Sequence, residues 1–192
     1  ERAQAAAQAY GIAQVFSSLD DLLRADVDVI HILLPPDSHV DAARQCIEAG
    51  KHVFLEKPMG LDAAACQSLV DLAATHDVKL AVNHNFLFMP AYEKLRQQAA
   101  DGTLGPLDQI TINWLYPLGL IQSGPFNNWM LQEPKNLLFE LGPHLLAFMV
   151  DLVGPLEQIQ VDAFKPIDLP GGGRVYRRWH VHGRRGDTAI DL

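Results

Sequence analysis

At 192 residues the chain has room for one large domain or two small ones, and 48% hydrophobic with 20% charged residues is the composition of an ordinary soluble globular protein. A formal net charge of −8 argues against nucleic acid or an anionic membrane surface as the main partner, because both are met with clustered Lys and Arg. No uninterrupted apolar run reaches the roughly 18–20 residues that span a bilayer. The greasiest stretch, 136–154, is broken by Glu140, Gly142, Pro143, His144 and Asp151. The two cysteines, Cys46 and Cys66, fall in expected helices. They read as small buried hydrophobes of a reducing, cytoplasmic compartment, not as a disulfide or a metal pair.

In chain order, residues 2–10 form a helix closed by Gly11 at the C′ position. Ser18 caps a short helix through Arg24, with Asp20 and Asp21 favourably placed in its first turn. The run VDVIHILL at 27–34 is nearly continuous and rich in branched residues, as a buried parallel strand should be, and His31 within it reads as a satisfied core histidine. Pro35-Pro36-Asp37-Ser38-His39 ends that strand, with Asp37 or Ser38 capping a helix that runs to Ala49 and stops at Gly50.

The segment 50–60, GKHVFLEKPMG, organises the rest. A short buried strand at 53–55 delivers Glu56 and Lys57 to a turn set by Pro58, and ligands of open α/β sheets bind outside the carboxyl ends of strands. Pro58 biases Lys57 toward an extended conformation, which holds it at the tip. Taken alone, a Lys-Pro dipeptide here is more often a plain surface turn; the second strand tip upstream is what lifts it above that.

A helix at 62–76 places Leu61, Leu69 and Leu72 toward the core, and a strand follows at 78–83. After Asn83 to Pro90 comes a helix at 91–101 ended by Gly102, and Thr103-Leu104-Gly105-Pro106 marks a boundary between domains at 1–104 and 105–192. The strand expected at 107–116 alternates Ile110, Ile112, Trp114 and Tyr116 with Gln109, Thr111 and Asn113, which suits a sheet with one buried face. Residues 122–134 read as a polar loop carrying Trp129. Gly142 as N-cap with Pro143 at the first helical position starts an apolar helix to Val153. That puts His144 in the first turn, where the helix dipole favours the neutral imidazole a general base needs. Strands follow at 159–163, 175–182 and 189–192, and Arg177, Arg178, Arg184 and Arg185 read as a solvated strand face. The eight histidines show no H-x-x-x-H or Cys/His spacing, so no metal is expected.

Gly50-Lys51-His52-Val53 followed by Glu56-Lys57-Pro58 resembles the signature of the glucose–fructose oxidoreductase / inositol dehydrogenase family of NAD(P)-dependent oxidoreductases. Pro35, Pro36 and His39 before it, and Asn85, Pro90 and Gly142-Pro143-His144 after it, follow in the family's order over roughly residues 2–154. The resemblance implies an α/β fold: an incomplete Rossmann-like parallel sheet, then part of an α+β domain with a mostly antiparallel sheet. It implies NAD or NADP as cofactor, held by Pro35, Pro36, His39, Glu56, Lys57, Pro58 and Asn85. The implied activity is hydride transfer at a hydroxyl-bearing carbon of a sugar, cyclitol or related small molecule. Lys57 would bond the reacting oxygen, His144 take its proton, and Glu140 orient His144. A cis Lys57–Pro58 bond and a homo-oligomer built through the C-terminal sheet complete what it implies.

The chain departs from the family at Leu87, where an arginine is frequent, at Asn136-Leu137, where many members carry a glycine pair, and at Glu140, where aspartate is usual. It contains no G-x-G-x-x-G and opens on a helix, so it reads as lacking the first β-α-β unit of its fold. A non-catalytic relative, serving as ligand sensor or assembly subunit, is the alternative.

Overall fold

Three short strands, β1 (Val29–Ile32), β2 (His52–Leu55) and β3 (Leu80–Val82), run parallel in the order β1-β2-β3. They form the centre of the first of two compact units, Glu1–Val82 and Asn83–Leu192, in a computed structural model that describes residues 1–115 and 117–192. Each strand is followed by a helix: α3 (His39–Glu48) after β1, α4 (Ala63–Thr75) after β2, and α5 (Pro90–Ala100) after β3. Before them come α1 (Arg2–Tyr10), ended by Gly11 in the left-handed region, and α2 (Leu19–Leu23), whose first turn is capped by Ser18 Oγ accepting from Asp21 N.

The first core lies between one face of the sheet and α3 and α4, where Ile30, Ile32, Val53 and Leu55 meet Ala43, Cys46, Ile47 and Leu69. Lys51 fixes the connection into β1, its Nζ donating to the carbonyls of Ala25 and Val27. The sequence pattern anticipated burial on both faces of β1, yet burial alternates along it. Val29 is 56% exposed, and His31 is also exposed, its ring against Phe54 with centroids 4.6 Å apart. His31 is therefore not a core histidine: among the described residues α3 and α4 cover only the opposite face.

The second unit is built on a four-stranded sheet in the order β4-β7-β6-β5, comprising β4 (Gln109–Thr111), β5 (Ile159–Asp168), β6 (Arg174–Arg185) and β7 (Thr188–Asp191). β5, β6 and β7 pair antiparallel, and β4 joins β7 in parallel. β5 and β6 are longer than expected because Gly171 and Gly172, both with φ above 90°, close them into a hairpin at its distal end. β4 is shorter than expected, although Ile110, Ile112 and Trp114 are half-buried and Gln109, Thr111 and Asn113 exposed, as the alternation required. Tyr116, the last member of that alternation, lies outside the described residues. Arg177 and Arg178 are neighbours on a strand and point to opposite faces, so the four arginines do not form one patch.

Two further departures concern helices. The segment expected to be a loop holds α6 (Leu120–Ser123) and α7 (Trp129–Gln132), the latter capped by Asn128 Oδ1 accepting from Met130 N. The helix expected to begin at Gly142 begins instead at Asn136: α8 (Asn136–Val153) runs straight through Pro143. A proline inside a helix forfeits one backbone hydrogen bond. Here the apolar side chains on both sides of it, Leu137 packed with Leu131 and Val175, and Met149 buried further on, keep the helix whole. By length and hydropathy alone α8 could cross a membrane. It is instead tied to the rest of its unit, since Asp151 accepts from the Tyr92 hydroxyl of α5 at 2.7 Å. α5 also packs with α8 through the rings of Tyr92 and Phe148, whose centroids are 4.4 Å apart, and both helices lie in the compact unit Asn83–Leu192.

Candidate active site

In the first unit, the tips of β1 and β2 are bound together by His39. The side chain is 1% exposed, with Nδ1 2.7 Å from the carbonyl oxygen of Pro58 and Nε2 2.7 Å from that of Leu34. A neutral ring donates to one of these carbonyls at a time and a doubly protonated ring to both. Expected to line a cofactor, His39 is instead an internal tie that sets the spacing of the two tips. Lys57 and Pro58 follow β2 directly, joined by a cis peptide bond, and Glu56 is anchored by its backbone N–H to Ile32 O at 3.1 Å. The turn closes against α3 and α4 at Gly60, where an added Cβ would stand 2.8 Å from Val40 Cγ2 and 3.1 Å from Cys66 Sγ. Only glycine lets the backbone come this near. At the β1 tip, Leu33 and Leu34 are 66% and 48% exposed and Pro35 is also open, an apolar shelf beside Lys57's strand.

In the second unit, Glu140 and His144 are one helical turn apart on the same face of α8. His144 lies in the middle of the helix, so the end-of-helix dipole, which acts within the first turn, does not reach it. Rings hold it in place. Phe86, in the 3₁₀ turn Asn85–Phe88, stacks on the imidazole with centroids 4.3 Å apart, and Trp114, itself stacked with Phe86 at 5.4 Å, stands 5.8 Å from the imidazole. Asn85 is exposed at the start of the same turn.

Two neighbours of this cluster carried no signal in the sequence. Tyr92 donates to Asp151, and burial together with that carboxylate pushes its hydroxyl well above the usual tyrosine range. His84, half-buried before the Asn85 turn, is pushed below the usual histidine range by burial. The pairing of Tyr92 with Asp151 spans 59 residues and leaves no local mark, and His84 stands between two other polar residues, Asn83 and Asn85, after the end of β3.

Residues 1–84 match the GFO/IDH/MocA oxidoreductase family, described by its NAD-binding Rossmann fold. The first unit matches this family along its whole length. An uncharacterized oxidoreductase of Synechocystis sp. is 32% identical over 161 residues, covering 82% of this chain and 43% of the relative. Inositol 2-dehydrogenase of Rhizobium meliloti is 32% identical over 111 residues, 57% of this chain and 33% of that protein. A levoglucosan dehydrogenase solved with NADH and levoglucosan shares the fold at a TM-score of 0.87 and 20% identity, over 99% of this chain and 54% of that one. The chain spans about half the length, or less, of these proteins.

Proposed function

We propose that the chain is part of an NAD(P)-dependent oxidoreductase that transfers hydride between nicotinamide and a hydroxyl-bearing carbon of a sugar, cyclitol or related small molecule. The observation that carries this reading is the β2 tip, where the cis Lys57–Pro58 turn is locked by His39 beside the exposed shelf of Leu33, Leu34 and Pro35. An apolar shelf next to a lysine suits a flat nicotinamide ring with the substrate's reacting oxygen beside it. Pro35, Pro36, Glu56, Lys57, Pro58 and Asn85 are the residues assigned to the cofactor.

When bound, the nicotinamide supplies the hydride acceptor for the alcohol. The chain's own residues handle the oxygen and its proton. The Lys57 ammonium donates to the oxygen and stabilises the negative charge that grows on it in the transition state. His144 takes the hydroxyl proton as general base, with its ring plane fixed by Phe86. Glu140, one turn before it, orients the imidazole. A cytoplasmic setting and a homo-oligomer formed through the second unit's sheet belong to the same reading.

The test is Lys57→Ala in the enzyme that carries this chain, with turnover followed by NAD(P)H absorbance on a panel of sugars and cyclitols. Loss of one preorganised donor should lower kcat about 10²–10³-fold and leave cofactor affinity nearly unchanged. An unaltered kcat would refute the role of Lys57.

A further inference from the structure

The outer face of the second unit's sheet carries a group of side chains that hydride transfer does not use. His180 and His182 are two apart on β6 and so share a face. Asp191 of β7 is directly opposite His182. The adjacent pair, Val181 and Leu192, exchanges both backbone hydrogen bonds at 2.9 Å. The His182–Asp191 pair is therefore a non-hydrogen-bonded one, in which opposing side chains come closest. The two imidazole rings lie 3.9 Å apart by centroid, and His182 Nδ1 is 2.7 Å from Asp191 Oδ1. One donor atom from each of the three residues falls within 4.8 Å of the other two.

We propose that His180, His182 and Asp191 form a binding site for a divalent transition metal of the zinc type. Two imidazoles with one carboxylate is a borderline-soft donor set that suits Zn²⁺, Co²⁺ or Ni²⁺, whereas Ca²⁺ and Mg²⁺ call for shells built of oxygen. Three protein ligands leave a fourth position for water or another ligand. Metal–nitrogen and metal–oxygen bonds of about 2.0–2.2 Å fit a cluster of this width with side-chain rotation alone. The strands need not move, since β6 is paired along both edges.

Metal entry replaces the proton between His182 Nδ1 and Asp191 Oδ1, which leaves to solvent as the metal–nitrogen bond forms. Gln109 Nε2 donates to Asp191 Oδ2 at 3.0 Å and so holds the carboxylate toward the histidines, as an outer partner of a metal ligand does. Asp162, directly across from His180 on β5, adds negative charge to the same face. A search for helical H-x-x-x-H spacing passes over this group because the strand period is two.

Titration of the purified chain with Co²⁺, read by its visible ligand-field absorption and then by displacement with Zn²⁺, tests the site. One equivalent of Co²⁺ should bind saturably and be displaced by Zn²⁺. His180→Gln/His182→Gln should abolish the signal, and His31→Gln/His76→Gln, which alters exposed histidines elsewhere, should leave it unchanged. Gln109→Ala should weaken binding about tenfold, as loss of an outer partner does. Asp191→Asn, the same size as the native residue, carries the comparison if the double histidine variant melts at a lower temperature, and should weaken binding by at least that factor. Absence of saturable Co²⁺ absorption in the native chain would overturn the proposal. So would undiminished affinity in His180→Gln/His182→Gln or in Asp191→Asn.

Discussion

At the tip of β2 the backbone decides where the chemistry stands, while along α8 side-chain packing decides it. Lys57 is aimed by a cis turn whose carbonyl is bound by His39 and whose next glycine is pressed against α3 and α4. His144 is aimed by Phe86 and Trp114, rings that arrive from a 3₁₀ turn and from the segment after β4. The first arrangement is written in a few adjacent residues and tolerates little change of backbone. The second is assembled from distant ones and should tolerate any substitution that keeps a flat ring in place. The two kinds of placement can be pulled apart by substitution.

The largest effect is expected at His39. His39→Ala leaves at least one of the carbonyls of Leu34 and Pro58 without its donor and opens a cavity where a buried side chain stood, together a loss of roughly 2–4 kcal/mol. Urea unfolding of the chain should show it as a lower midpoint with unchanged slope. His39→Gln should recover part of the loss, since the amide can still donate to one carbonyl. A loss well under 1 kcal/mol would mean that the tips are held by something other than this tie.

Gly60 comes next. Gly60→Ala puts a methyl 2.8 Å from Val40 Cγ2, an overpacking that costs about 1–3 kcal/mol. Combining it with Val40→Ala should return much of that loss, because the two changes share one contact and are not additive. Strict additivity would show that the cost lies in the backbone and not in Val40.

What could be seen beforehand follows the same division. The PPDSH and EKP tips, the α1 and α2 caps and the parallel strands were legible because each is set by residues within a few positions of one another. The start of α8 was not. Gly142-Pro143 is a strong local signal for a helix start, and it is overridden by burial of Leu137 on one side and Met149 on the other. The small helix at Trp129 was hidden by Gly and Pro nearby, though its Asn128 cap was there to be read. His39 was recognised as a member of the tip, but its role as a tie needed the position of Pro58. His180, His182 and Asp191 converge only once β6 and β7 are paired in register.

In the second unit Tyr92→Phe removes the hydroxyl that Asp151 accepts from, and Arg96 at 3.7 Å remains as a weaker neighbour. A cost of about 1.5 kcal/mol is expected, the low end for a hydrogen bond to a charged group. Its pH signature has a definite sign. Because burial and Asp151 raise the folded-state pKa of Tyr92, its contribution is whole below the unfolded value near 10 and is lost as pH rises past it. Thermal melts between pH 8 and 11 should fall more steeply for the native chain than for Tyr92→Phe. Equal slopes would show that this hydroxyl does not couple to folding.

The smallest effect belongs to His84, and it tests whether packing alone fixes the histidines of this unit. Among the described residues its Nδ1 is buried without a hydrogen-bond partner, and burial lowers its folded-state pKa. A histidine lowered in this way stays neutral in the folded chain while the unfolded chain takes up a proton near pH 6.5. Its contribution to stability is therefore present above that value and is lost as pH falls toward the folded-state pKa. One proton sets the ceiling on the slope, about 1.4 kcal/mol per pH unit. His84→Leu keeps an apolar body of similar reach and removes the titration. The variant should match the native chain at pH 8 and exceed it at pH 5, where native His84 must either charge in a poor environment or unfold. Urea midpoints at the two pH values measure this directly. A native chain that still matches His84→Leu at pH 5 would mean that the imidazole gains a partner when it charges, and that hydrogen bonds share in its placement.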